Sequence, residues 1–170
     1  MVQHHNSVYL LGGYDGNYRK DVWQFLPEMG FSHFVAKPMK HTRSSFACGI
    51  FNSKFHSNRP IMVAAGGYGS GSETGEFWDF TNPTATWQPT GNFPVYEGFE
   101  FMRGLEWGPQ MTTTRNGDGL LLTHRKAILK LDCTSTTSCL WKKEPNSLQV
   151  HRFHHLMFTV PSSLLENCNN

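Results

Sequence analysis

The sequence predicts an all-β protein assembled from repeated, short-stranded units, and three observations carry that expectation. Apolar-rich segments of 5 to 8 residues recur between clusters of Gly, Pro, Asn, Asp and Ser, and no long helical periodicity is present. Charged residues make up only 16% of the 170 and aromatic residues 14%, with 16 glycines, a balance that argues against disorder and for a turn-rich β protein with its own core. The chain also resembles itself: Gly13 and Gly67 stand 54 residues apart, and so do Trp87 and Trp141. Two unrelated markers therefore return one period.

The units can be followed in order. The first reads Val8-Tyr9-Leu10-Leu11-Gly12-Gly13-Tyr14, the second Ile61-Met62-Val63-Ala64-Ala65-Gly66-Gly67-Tyr68, each an apolar strand running into Gly-Gly-Tyr. In the third, Leu120-Leu121-Leu122 fills the apolar strand, with Thr123-His124 where the glycines would stand. Its following strand, 127–131, matches 21–26 and 75–80. An arginine heads a strand at Arg43, before 44–51, and again at Arg152, before 153–160, 109 residues further on.

A strand ending in Gly-Gly, then a loop, a strand, a Trp-bearing strand and an Arg-led strand resembles the kelch repeat, whose period is about 50 residues. The resemblance spans roughly residues 7 to 161. It implies kelch-type β-propeller blades, four-stranded and antiparallel, in an incomplete ring of about three. The expected division is 7–38 for a first blade lacking its first strand, 43–92 for the second, 100–146 for the third, 152–160 for a strand that would close a ring, and 161–170 for a tail. Within each blade the glycines Gly12, Gly13, Gly66 and Gly67 would let the chain turn and approach a neighbour closely. Trp87 and Trp141 would fill the gaps between blades, and Arg43 and Arg152 would tie one blade to the next. Some positions depart from the pattern: Phe31 and Phe34 stand where the first unit's Trp is expected, Arg103 is a poor match for the second unit's Arg, and the third unit lacks its Gly pair. Because about four blades or more are needed to close a ring, the expectation is that further N-terminal blades are missing, or that two copies assemble into one ring.

The chemistry-bearing residues point to binding rather than catalysis. Cys133 and Cys139 flank a Ser/Thr-rich turn and could face each other across a hairpin at disulfide distance, with two reduced thiols as the alternative and zinc needing two more ligands and shorter spacing; Cys168 could pair with Cys48 or elsewhere. Kelch-like chains ending in a short Val-Pro segment and a terminal Cys resemble secreted invertebrate proteins, so an extracellular location is expected, with a cytoplasmic adaptor as the alternative. His151, His154 and His155 do not make a metal site, since His154 and His155 point to opposite faces of a strand; no metal or cofactor is expected. No P-loop, Gly-x-Ser-x-Gly elbow or His-Glu-x-x-His motif occurs, and no tyrosine set matches the copper site of galactose-oxidase-like propellers.

A kelch arrangement implies that the loops between second and third strands, and between blades, crowd one face. That places Tyr14, Tyr18, Arg19, Lys20, Tyr68, Arg125 and Lys126 on a partner-binding surface, with tyrosine and arginine as favoured contact residues. The basic residues suggest a protein partner offering an acidic peptide segment; a sulfated glycan, a carbohydrate-binding propeller or a fragment with no function of its own are the alternatives. The net charge of +2 gives no reason to expect nucleic acid, and no apolar run is long enough to span a membrane.

Overall fold

The computed structural model describes residues 1–26, 33–34, 37–53, 58–82, 84–93, 110–113, 119–122, 128–135 and 137–143. Twelve strands and, among these residues, no helix make up three four-stranded antiparallel sheets. The first sheet holds β1 (Val2–His4), β2 (Ser7–Tyr14), β3 (Tyr18–Phe25) and β4 (His33–Phe34). The second holds β5 (Ala47–Ser53), β6 (Arg59–Ala65), β7 (Thr74–Trp78) and β8 (Gln88–Asn92), and the third β9 (Gln110–Thr113), β10 (Gly119–Leu122), β11 (Ile128–Ser135) and β12 (Ser138–Lys143). Strands neighbour one another in chain order in all three, so each sheet is a simple antiparallel meander.

One edge differs from the sequence expectation. The first sheet was expected to begin at its second strand, but Val2–His4 pairs antiparallel with Ser7–Tyr14, Val2 opposite Tyr9. The turn between them is tight, with His5 at φ 50°. Three residues of mixed polarity are too short a run to show alternation, which is why the strand is silent in the sequence. Residues 152–160, expected to take that edge, lie outside the described residues, as do Phe31, Arg103 and Arg152.

Burial shows how the sheets stack. Along β6 every residue from Ile61 to Ala65 is buried, with Ile61, Val63 and Ala65 packed in one apolar cluster and Met62 and Ala64 in another. Successive side chains of a strand point to opposite faces, so the second sheet is covered on both. Tyr9, Leu11 and Val22 of the first sheet meet one face; Leu129, Leu131, Cys133, Cys139 and Trp141 of the third meet the other. Sheets one and three follow the alternating pattern instead: Tyr9 and Leu11 are buried while Leu10 is 48% exposed. Among the described residues the stack is open at both ends and no ring closes.

Two glycines fix the junction of the first and second sheets. Gly12 (φ 53°) and Gly67 (φ 84°) both adopt the left-handed region that side chains resist. A Cβ on Gly12 would lie 2.5 Å from the carbonyl oxygen of Arg43, and one on Gly67 would lie 2.4 Å from that of Ser44. Both Gly-Gly turns thus close on the same two-residue segment. Its hydrogen bonds follow: the Gly13 amide donates to Arg43 O (2.8 Å), and Ser44 and Tyr68 exchange amide-to-carbonyl bonds of 2.9 and 2.8 Å.

Candidate binding face

The loop between β2 and β3 is closed by its own residues. Tyr14 and Tyr18 are directly opposite in the strand register, so their rings are neighbours, with centroids 5.1 Å apart and planes tilted 52°. Asp15 takes the turn and accepts two hydrogen bonds of 2.9 Å from Arg19 Nε, with the guanidinium's Nη2 at 2.5 Å from the same carboxylate. The Arg19 guanidinium accordingly holds the Asp15 carboxyl below its usual range, and Asp15 raises the pKa of Arg19 in return. Both side chains are about half exposed, so the pair shapes the loop more than it stabilises the fold.

Tyr68 reaches the same place from the loop between β6 and β7. Together with Gly13, Tyr14, Tyr18, Ser44 and Ser45 it lines an open depression of about 470 Å³. Tyr14 and Tyr18 remain 64% and 43% exposed. Ser45 is exposed and sits at φ 49°, a conformation a non-glycine residue holds only where its surroundings impose it. The depression has hydroxyls and aromatic faces around it and a strained serine on its wall.

Beneath that wall lies a buried ion pair. Arg43 and Glu76 are both fully buried, with Arg43 Nε donating to Glu76 Oε1 at 3.0 Å. The rest of the guanidinium donates to the carbonyls of Gly66 (2.9 Å), Thr74 (2.8 Å) and Gly71, and to Thr74 Oγ1 (2.9 Å). Gly71 leaves room for it, since a Cβ there would fall 2.4 Å from Arg43 Cζ. The other carboxylate oxygen of Glu76 accepts from the Lys40 amide at 2.7 Å. His41 adds its amide at 3.4 Å, while its ring Nδ1, buried and without a hydrogen-bond partner, stands 3.7 Å from Glu76 Oε1. Burial pulls the guanidinium's pKa down and Glu76 pulls it back up; an arginine remains charged through such shifts. The Arg43 backbone meanwhile accepts from Gly13 and donates to Arg19 O at 2.8 Å. One residue therefore joins the first sheet through its main chain and the second through its side chain.

The two tryptophans occupy matching places. Trp87 is buried between the first and second sheets and donates from Nε1 to Lys37 O at 2.9 Å. Trp141 is buried between the second and third and donates to Thr90 Oγ1 at 2.8 Å. Cys133 and Cys139, opposite each other in the β11–β12 register, form a disulfide facing the second sheet. Cys48 is a free thiol near the Met1 backbone. We expect a thiol-alkylating reagent to label Cys48 on the native protein and to leave Cys133 and Cys139 unmodified, as read by peptide mass. Reducing that bond should lower stability by about 2–3 kcal/mol, the loop-closure entropy of so short a ring.

Of the residues expected on the binding surface, the structure brings together Tyr14, Tyr18 and Tyr68. Arg19 is turned onto Asp15, Lys20 is exposed on β3, and Arg125 and Lys126 lie outside the described residues. Glu76, Asp15 and Ser45 were not anticipated. A glutamate amid Gly75, Phe77 and Trp78 was the available signal, because a carboxylate in an otherwise apolar strand needs a buried partner. Among the described residues no group of three or more His, Cys, Asp or Glu could hold a metal ion, and no helix is long and apolar enough to cross a membrane. No family model and no curated protein matches the chain.

Proposed function

We propose that the chain is a stack of kelch-type propeller blades acting as a protein-interaction module, and that the depression between Tyr14, Tyr18 and Tyr68 receives a segment of the partner. The observation that carries this reading is the convergence of three tyrosines from two different sheets on one open hollow. Large, stiff, amphipathic rings at a preformed site supply contact area at small entropic cost. The repeat supports the blade assignment: three four-stranded meanders, with Trp87 and Trp141 one period apart and each sealing a junction. The described lining is tyrosine, serine and glycine, a set suited to holding a partner segment. The Cys133–Cys139 disulfide favours an extracellular setting.

Charge refines the partner. Because Asp15 already occupies Arg19, the rim attracts an acidic segment less than the sequence suggests, and the rings carry most of the affinity. Titration with peptides of graded charge, followed through the tyrosine ring resonances, tests this. Perturbations should be confined to Tyr14, Tyr18 and Tyr68, and Tyr18→Ala or Tyr68→Ala should each weaken binding about tenfold or more. Shifts that map elsewhere on the surface, or affinities that ignore both substitutions, would reject the depression as the site.

A further inference from the structure

The hollow that Tyr14, Tyr18 and Tyr68 share has a chemistry that narrows what it can hold. Its wall is closed as a backbone surface. The Gly13 amide donates to Arg43 O, the Arg43 amide donates to Arg19 O, and Ser44 and Tyr68 exchange amide-to-carbonyl bonds across the bridge between them. Tyr14 and Tyr18 face each other in the β2–β3 register. An extended partner could not add to these groups as a further strand, since strand addition needs free amides and carbonyls. Among the described residues the side-chain polar groups of the lining are all hydroxyls, from tyrosine and serine. The lining carries no charge, and Asp15 and Arg19, in the loop that holds two of the rings, satisfy each other.

We infer that the segment received there is proline-rich and held in a polyproline II conformation. The inference rests on the reading of the hollow as the partner site and names the chemistry of its occupant. A polyproline II helix has no internal hydrogen bonds and its prolines have no amide to satisfy, so it presents carbonyls outward. Hydroxyl donors match that pattern, and no unspent backbone is required of the wall. The rings suit the side chains. Tyr14 and Tyr18 have centroids 5.1 Å apart and planes tilted by 52°, so they splay instead of stacking flat and leave aromatic faces set at an angle. Both remain exposed, at 64% and 43%. A stiff pyrrolidine ring packs against such faces with little further loss of freedom, because its backbone is already confined. An uncharged ligand also leaves the Asp15–Arg19 pair intact, whereas a charged one would compete for one of its members.

Titration of the full chain, with its tyrosine rings isotopically labelled, tests this against four synthetic probes. The first is an uncharged peptide of about twelve residues built on a Pro-x-x-Pro repeat. The second replaces each of its prolines by alanine, the third is a valine- and threonine-rich strand former, and the fourth is a neutral oligosaccharide. The first should shift the ring resonances of Tyr14, Tyr18 and Tyr68, and the others should bind about tenfold more weakly or not at all. Tyr18→Ala should weaken the proline-rich peptide about tenfold or more. Tyr18→Phe, which keeps the ring and removes the hydroxyl, should weaken it about threefold and covers the case in which Tyr18→Ala does not fold. Equal affinity for the alanine or strand-forming peptide, or preferential binding of the oligosaccharide, would overturn the inference. So would rings that no probe moves. Crosslinking from position 18, which requires no choice of ligand, then reads separately whether the hollow receives a partner at all.

Discussion

Arg43→Ala should destabilise the protein by about 3–5 kcal/mol, the usual consequence of removing one member of a buried, hydrogen-bonded ion pair. The loss has identifiable parts. Glu76 would be left fully buried with its charge uncompensated, and the carbonyls of Gly66, Gly71 and Thr74 would lose their shared donor. Chemical denaturation gives the magnitude directly. A double variant, Arg43→Met with Glu76→Leu, should recover a large part of the loss, because it removes both charges together instead of orphaning one. If Arg43→Ala costs less than about 1 kcal/mol, the pair is not holding the first junction. The same variant should also weaken partner binding, since the segment that Arg43 anchors supplies Ser44 and Ser45 to the depression.

Trp141→Ala should cost about 3–5 kcal/mol, through the cavity left between the second and third sheets. Trp141 is packed against Phe93, with ring centroids 5.7 Å apart, and its indole satisfies the buried hydroxyl of Thr90. Trp141→Phe keeps much of the volume and loses only that hydrogen bond, so it should be milder, about 1–3 kcal/mol. Thermal unfolding of the two variants separates packing from hydrogen bonding at this junction. Neither should alter the tyrosine depression, which lies at the other junction. A Trp141→Ala protein that remains folded yet loses partner binding would mean that the site extends onto the third sheet.

Much of this architecture was legible in the sequence because apolar strands and their glycines are local signals. Val8 to Tyr14 and Ile61 to Tyr68 read as strand and turn from composition alone, and their 54-residue spacing fixed the unit. Arg43 was legible as a marker but its partner was not. Nothing in the spacing of Arg43 and Glu76 says that they meet; a loop and a strand from different parts of the unit must first fold against each other. The charge of the candidate face was misleading for a related reason. Counting Arg19 as a free cation ignores Asp15, four residues away and turned back onto it by the hairpin. Val2–His4 was missed because a three-residue edge strand carries too little periodicity to register. Ser45 could not have been found at all, since left-handed backbone at a serine follows from its place between two Gly-Gly turns, not from its identity.

Site-specific photocrosslinking from position 18 tests the central claim most directly. A photoreactive phenylalanine analogue in place of Tyr18 puts the probe beside the depression, and the same analogue in place of Lys142 puts it on β12 of the third sheet. Irradiation in a native extract should give a covalent adduct of one defined mass from position 18, absent from position 142 and abolished by adding Tyr68→Ala to the position-18 protein. Adducts of equal yield from both positions, or an adduct at position 18 that survives Tyr68→Ala, would contradict the tyrosine depression as the partner-binding site.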